Sequence, residues 1–180
     1  MIFRIDEETP LPDRIDALTA GERLLLCAFR RWVAGLRDSD IRQWERTWSD
    51  FCFEFGSHAG REATTAISTL VGAIREGARR RIRHHEPCCP FLTADEITIA
   101  GLVAAAQRAD LFTARSLAVW LVRGDSSGTL LAAAGALADR MRETGIILPD
   151  RRHRPAPVPA RGPTVREAVT EASARLRVVV

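Results

Sequence analysis

Lysine, asparagine and tyrosine are absent from this chain of 180 residues, so all 26 of its basic residues are arginine. Together with the abundance of alanine, this bias is typical of codon usage in a GC-rich, bacterial genome. The arginine fork suits phosphate recognition, but codon usage accounts for the arginine here without a ligand. The formal net charge is only +3, and it comes from the segment between positions 150 and 163. The rest of the chain is neutral, so we do not expect it to bind nucleic acid.

Long apolar runs are also missing. The longest uncharged run in the helical region, residues 126–138, is too short to span a bilayer, and the acidic N-terminal residues do not resemble a signal peptide. Four cysteines do not make a disulfide scaffold at this length, and Cys27 and Cys52 fall on apolar helical faces, where a thiol behaves as a small hydrophobe. The sequence therefore predicts a cytoplasmic protein with no membrane partner.

Apolar residues recur every three to four positions from Thr19 to Gly145, which predicts an all-α fold. We expect six helices in an antiparallel, bundle-like domain over residues 1–148, in which residues 1–18 form an extended N-terminal arm. Thr19 and Thr93, each followed by a glutamate three positions later, predict capping boxes at two helix starts. The third helix is predicted to end in the arginines and histidines of residues 79–85, where cations favour the helix dipole.

A Pro/Arg-rich linker is predicted over residues 149–163, and an amphipathic helix over residues 164–180. That helix begins with a third capping box at Thr164, and its apolar stripe is Val165, Ala168, Val169, Ala172 and Leu176. A short amphipathic helix on a linker is stable only when it docks, either on its own domain or on a second subunit. The sequence thus favours a homodimer or another protein partner.

Between two predicted helices lies the one stretch in which histidine, cysteine and proline occur together, residues 84–92. His85 and Cys88 have the spacing with which one turn of chain offers two ligands to a tetrahedral metal, and His84 and Cys89 add two donors. The candidate metal ligands are therefore these four residues, and the candidate metals are zinc or another transition metal. A complete site needs further donors from His58, from Cys52 or from the same loop of a second subunit.

The same cysteines, Cys88 and Cys89, are adjacent and precede a predicted helix start. The alternative to a metal site is therefore a redox-responsive thiol pair. A third interpretation is structural: Pro87 and Pro90 stiffen a tight connector whose thiols are half buried.

Residues 124–128 fit the pattern Gly-x-Ser-x-Gly, with Gly124, Ser126 and Gly128 at the fixed positions. Their Gly-Asp-Ser start resembles the nucleophile elbow of esterases of the α/β-hydrolase fold, which implies a strand before the elbow and Ser126 as the nucleophile. The resemblance covers residues 115–145 only. No His-Gly-Gly-Gly segment precedes it, and only Asp139, Asp150 and His153 follow to complete a triad. An alternative is that the serines cap the sixth helix.

No complete catalytic constellation emerges from these patterns. The leading hypothesis is a non-catalytic interaction or regulatory protein that forms a homodimer. The second is a metal-binding or thiol-redox protein that uses the loop of residues 84–89, and the third is a small serine hydrolase.

Overall fold

The computed structural model describes residues 13–151, and it confirms the predicted all-α class for them. After a 3₁₀ turn at Ile15–Ala17 come six helices: α1 Ala20–Asp38, α2 Ile41–Phe55, α3 Ser57–Gly77, α4 Ala94–Gln107, α5 Leu111–Leu121 and α6 Gly124–Glu143. This part of the chain contains no β-strand, only two isolated backbone bridges. None of these six helices is long and apolar enough to cross a membrane.

Side chains cap the N-termini of four of the helices, two of them at the predicted threonines. The Glu22 amide donates to the Thr19 hydroxyl at 3.3 Å, and the Glu22 carboxylate accepts the Thr19 amide at 2.8 Å. Thr93 and Glu96 form the same reciprocal pair at the start of α4. Asp40 and Asp110 cap α2 and α5 more simply, because in each case the side chain accepts one hydrogen bond from a backbone amide. Both predicted capping boxes in this part of the chain are therefore confirmed.

Helix α3 packs against α1, α2 and α6, and its contact with α6 is the most extensive between helices of residues 13–151. Helix α4 packs against α1, α5 and α6. The residues of α3 that this packing buries are mostly small or β-branched: Gly60, Ala63, Ala66, Ile67, Leu70, Val71, Ala73, Ile74 and Gly77. Such side chains let helix axes approach closely, and they place the core along α3.

The end of α3 differs from the prediction. The helix stops at Gly77, and residues 79–85 continue as bends and irregular chain. The backbone bonds instead to the connection between α5 and α6, because the Arg79 amide donates to the Leu121 carbonyl at 3.2 Å and the Arg123 amide donates to the Gly77 carbonyl at 2.7 Å. The predicted placement of the arginines and histidines on the last turn of a helix is therefore wrong.

The start of α6 also differs from the prediction, since residues 124–128 form the first turn of the helix. No side chain caps this end, so Ser126 and Ser127 do not act as caps; the Ser127 hydroxyl donates to the Gly124 carbonyl at 2.6 Å. A methyl group at Gly77 would overlap the side chain of Ser126. The end of α3 and the start of α6 therefore pack closely because position 77 has no side chain.

Past α6, the described chain lies against the helices. Leu148 is buried, and its amide donates to the carboxamide oxygen of Gln107 at 2.8 Å. The Arg151 guanidinium contacts the buried carboxylate of Glu22, with Nε 2.5 Å from Oε1. The first residues of the predicted linker thus contact α1. The remainder of that linker, the predicted helix at 164–180 and residues 1–12 of the predicted arm lie outside the described residues.

Candidate functional site

The His/Cys-rich loop, residues 84–92, is held through its backbone by Arg30 of α1. The Arg30 side chain is completely buried; it donates to the Cys89 carbonyl at 2.6 Å and to the Phe91 carbonyl at 2.5 Å. Its Nε lies 2.6 Å from Oε1 of Glu96, whose side chain is also completely buried. One guanidinium therefore joins α1, the loop and the start of α4.

Glu96 is the acceptor at the centre of this arrangement. Besides Arg30, its carboxylate accepts the backbone amides of Thr93 at 2.8 Å and of His85 at 3.1 Å. Burial alone raises the pKa of this carboxyl, but the hydrogen bonds from Arg30, Thr93 and His85 outweigh burial, so the pKa of Glu96 lies below its ordinary value of 4.5. The Glu96 carboxyl is therefore ionised at neutral pH.

Two further contacts fix the loop from outside. The Ile15 amide donates to the Pro90 carbonyl at 2.8 Å, and the Leu92 amide donates to the Asp13 carbonyl at 2.8 Å. On the opposite side, the Glu86 carboxylate pairs with Arg37, and this arginine lowers the pKa of Glu86. The loop is therefore a tightly held connector. That its prolines stiffen it stays a prediction, and of the two thiols expected to be half buried, Cys88 is exposed.

Of the four candidate metal ligands on this connector, His84, His85 and Cys89 are half buried and Cys88 is exposed. His84 is half buried, with its ring edge against Phe29, and its Nδ1 lies 3.4 Å from the His85 carbonyl. Cys88 is exposed and Cys89 is half buried, and both thiols are free. Within residues 13–151 no three His, Cys, Asp or Glu side chains come together as a metal-binding group. The metal site stays a prediction, and it needs ligands beyond those that one described chain brings together.

The two residues named as additional donors lie elsewhere. His58 is exposed in the first turn of α3, where its Nδ1 is 3.7 Å from a Glu62 carboxylate oxygen. Cys52 lies on α2 against Gly60, where helices α2 and α3 approach closely. Neither residue joins His84, His85, Cys88 and Cys89 in a group of potential ligands in the described region.

The surroundings of Ser126 do not match a nucleophile elbow. The elbow needs a strand before the serine, whereas the preceding residues up to Leu121 belong to α5. Ser126 lies in the first turn of α6, and its side chain packs against Gly77 at the end of α3. In residues 13–151 there is no sheet to hold the strained turn that this chemistry requires.

Four large apolar side chains are exposed on α5, and we call these residues, Leu111, Phe112, Val119 and Trp120, the α5 face. Phe112 is 84% exposed and Leu111 66% exposed, and the other two are exposed as well. The residues occur at i, i+4 and i+8 positions, so they share one side of the helix with Arg115 and Ser116. A groove of about 480 Å³ between α4 and α5 runs alongside Phe112 and Trp120.

A second concave site lies between α1 and α3. It is a cavity of about 380 Å³ that reaches from Phe29 and Val33 on α1 to Val71 and Ile74 on α3, and the irregular chain after α3 closes one side. The α5 face and this cavity were missed from the sequence, because both depend on how separate helices lie together. Arg30 was also missed. It lies four residues after Leu26, and this spacing, which places it on the buried side of α1, was the available signal.

No protein-family model, curated protein or solved structure matches this chain significantly.

Proposed function

We propose that the protein is a non-catalytic interaction protein that works as a homodimer, with the α5 face as its contact surface. The observation that carries this proposal is the exposure of four large apolar side chains, in two adjacent pairs, on one side of an 11-residue helix. Single apolar side chains scattered on a surface need no explanation, but four of them on one side of a short helix are typical of an interface.

A second copy of the chain is the partner that fits the arrangement of the α5 face. Phe112 and Trp120 lie eight residues apart, with the small Ser116 midway between them. If two copies of α5 pack antiparallel about a two-fold axis near Ser116, Phe112 of each copy meets Trp120 of the other. Such a surface is self-complementary, as a two-fold interface requires, and the adjoining groove receives the aromatic rings.

The charges at the two ends of α5 support the same antiparallel pairing. Asp110 stands at the N-terminal end, where it caps the helix. At the C-terminal end lie the exposed Arg123 and Arg80, whose guanidinium carbon is 5.7 Å from the Trp120 ring centroid. An antiparallel dimer brings Asp110 of each copy towards Arg123 of the other, which favours the antiparallel orientation over the parallel one.

In this proposal the six helices form an antiparallel, bundle-like unit, and residues 164–180 form an appended helix that adds to the dimer contact. We also place the protein in the cytoplasm, because all four cysteines are free thiols, as a reducing compartment maintains them.

The test is the molar mass of the full chain by light scattering after size-exclusion chromatography, for the unmodified chain and for Phe112→Glu. We expect the mass of two chains for the former and of one chain for the latter, because the change removes the ring that meets Trp120 and puts in its place a carboxylate that loses its hydration in an apolar contact. Phe53→Glu is the matched control, since Phe53 is 87% exposed on α2, away from the α5 face. It should remain dimeric.

A monomeric unmodified chain would contradict the proposal, and so would a Phe112→Glu variant that remains dimeric. A chain that ends at Arg151 separates the two contacts. If it is monomeric while Phe112→Glu is dimeric, the tail and not the α5 face carries assembly.

The alternative function is metal binding or thiol redox chemistry at His84, His85, Cys88 and Cys89. What supports it is the exposure of Cys88 beside a half-buried second thiol, and in a dimer a second loop can supply the missing donors. Elemental analysis of protein purified without a histidine tag tests the metal. Stoichiometric zinc that Cys88→Ser abolishes would support this function, while protein free of metal, with thiols that titrate freely and a spectrum unaffected by oxidants, would exclude it.

A further inference from the structure

The cavity between α1 and α3 has an apolar floor. Phe29, Val71 and Ile74 are buried at its base, and Val33 and Ile82 are half buried at its sides. Its volume of about 380 Å³ lies in the range of small-molecule sites. A floor of this kind accommodates an aliphatic chain or a single aromatic ring.

The rim of the same cavity is cationic. Four arginines, Arg37, Arg75, Arg80 and Arg81, belong to its lining, whereas no aspartate or glutamate does. Half-buried His84 lies at the edge. A one-signed rim around a low-dielectric floor concentrates positive potential, and the potential attracts anions.

Two of the four arginines already have carboxylate partners. Arg37 pairs with Asp38 and Glu86, and Arg80 pairs with the buried Asp95. Arg75 and Arg81, by contrast, form no ion pair with any carboxylate of residues 13–151, and both are exposed. Their guanidinium groups are therefore available to a ligand that enters the cavity.

From this combination we propose that the cavity binds a small amphiphilic anion, in which one carboxylate or phosphate group is attached to an aliphatic or aromatic body. The apolar body lies on Phe29, Val71 and Ile74, and the anionic group lies between Arg75 and Arg81. Charge-assisted hydrogen bonds from arginine to carboxylate or phosphate are strong and are often bidentate. None of the residues that line this site belongs to the α5 face, although Arg80 on its rim lies beside Trp120. The arginines that hold the anionic group, Arg75 and Arg81, take no part in the α5 contact, so the two proposals are tested separately.

The experiment is isothermal titration calorimetry on the full chain with decanoate and decyl phosphate, each below its micellar concentration. Three comparison ligands separate the contributions: decanol has the chain without the charge, acetate has the charge without the chain, and decyltrimethylammonium has the opposite charge. We expect one molecule of decanoate or decyl phosphate per chain, and binding of all three comparison ligands at least about tenfold weaker. Whichever anion binds more tightly identifies the head group.

Two variants test the position of the site. Arg75→Gln combined with Arg81→Gln keeps polar side chains of similar length but removes both charges, and decanoate should bind at least about fivefold more weakly. Ile74→Trp fills the floor and should reduce binding of decanoate. The matched control is Arg61→Gln, an exposed arginine on the same helix at its other end, which should leave binding unchanged. Circular dichroism melting confirms that each variant is folded.

The proposal is overturned if decanoate and decyl phosphate fail to bind, if decanol binds as tightly as decanoate, or if the double arginine variant binds decanoate normally. Vesicles of anionic phospholipid provide the last comparison. Binding to vesicles without binding of the monomeric amphiphiles would mean a membrane surface and would also overturn the cavity as the site.

Discussion

The guanidinium of Arg30 and the carboxylate of Glu96 are both inaccessible to solvent, and they are joined by two hydrogen bonds of 2.6 and 3.1 Å. They lie 66 positions apart in the sequence. Each also bonds to the backbone of the connector between α3 and α4, Arg30 to carbonyls and Glu96 to amides. The pair therefore satisfies buried polar groups of the backbone as well as its own charges, which is the condition under which a buried ion pair is tolerated.

The first prediction is that removing one partner destabilises the protein severely. Arg30→Met leaves the Glu96 carboxylate without its counter-ion and leaves the carbonyls of Cys89 and Phe91 without a donor. We expect the free energy of unfolding to fall by about 3–5 kcal/mol, measured by urea denaturation. Arg31→Met is the control, since Arg31 pairs with the half-exposed Asp50, and it should cost less than about 1 kcal/mol.

A double substitution shows whether the charges or the backbone contacts matter more. If Arg30→Met combined with Glu96→Leu is as stable as the unmodified chain, the arginine is dispensable to the connector. Faster hydrogen exchange in residues 84–92 of Arg30→Met is the expected local signature, and unchanged exchange there would contradict the assigned role of Arg30.

The second prediction concerns acid. The folded pKa of Glu96 is depressed, so the stability that its ionisation contributes is complete above the ordinary pKa of 4.5 and is lost as the pH falls through the lowered folded value. The Glu96→Gln variant lacks this titration. At pH 7 the free energy of unfolding of this variant should therefore be lower than that of the unmodified chain. Between pH 5 and the pH of acid unfolding it should decrease less than that of the unmodified chain. If the free energies of unfolding of the two proteins depended equally on pH, carboxyl groups other than Glu96 would account for the loss of stability in acid, and the prediction would be wrong.

Both capping-box glutamates have a second role. The Glu22 carboxylate accepts hydrogen bonds from Arg151, as the Glu96 carboxylate does from Arg30. Each carboxylate is buried at the start of a helix. At a helix N-terminus the exposed amides and the dipole already favour an anion. An arginine from a distant part of the chain then neutralises the charge of the carboxylate. Each glutamate therefore caps a helix and also forms a long-range contact.

The third prediction follows for the C-terminal contact. Burial raises the pKa of Glu22, but hydrogen bonds from Arg151 and Thr19 outweigh burial and lower it. Arg151→Ala should therefore raise the pKa of Glu22, as measured by NMR titration, and destabilise the fold by about 1–3 kcal/mol. Arg108→Ala breaks the more exposed pair with Asp150 and should cost less than about 1 kcal/mol. Equal effects of the two variants would contradict the importance of burial at Glu22.

The sequence was informative where structure depends on neighbours in the chain. The capping boxes at Thr19 and Thr93 each involve two residues only three positions apart. Apolar periodicity can likewise be recognised within a single helix. The pairing of Arg30 with Glu96 has no such local signal. The end of α3 was also missed, because Gly77 ends the helix through backbone contacts with the connection between α5 and α6, which periodicity does not report.

The fourth prediction tests that junction. Gly77→Ala places a methyl group where the side chain of Ser126 lies, and we expect a loss of about 1–3 kcal/mol in the free energy of unfolding from this overpacking. Gly72→Ala is the matched control on the same helix, because a methyl group there meets nothing within 4 Å; it should stabilise the protein by up to about 1 kcal/mol through helix propensity. Removing the opposing side chain with Ser126→Gly should recover part of the loss in the double variant. If the effects of Gly77→Ala and Ser126→Gly were simply additive, the two positions would not be in contact, and the close approach of α3 to α6 would be wrong.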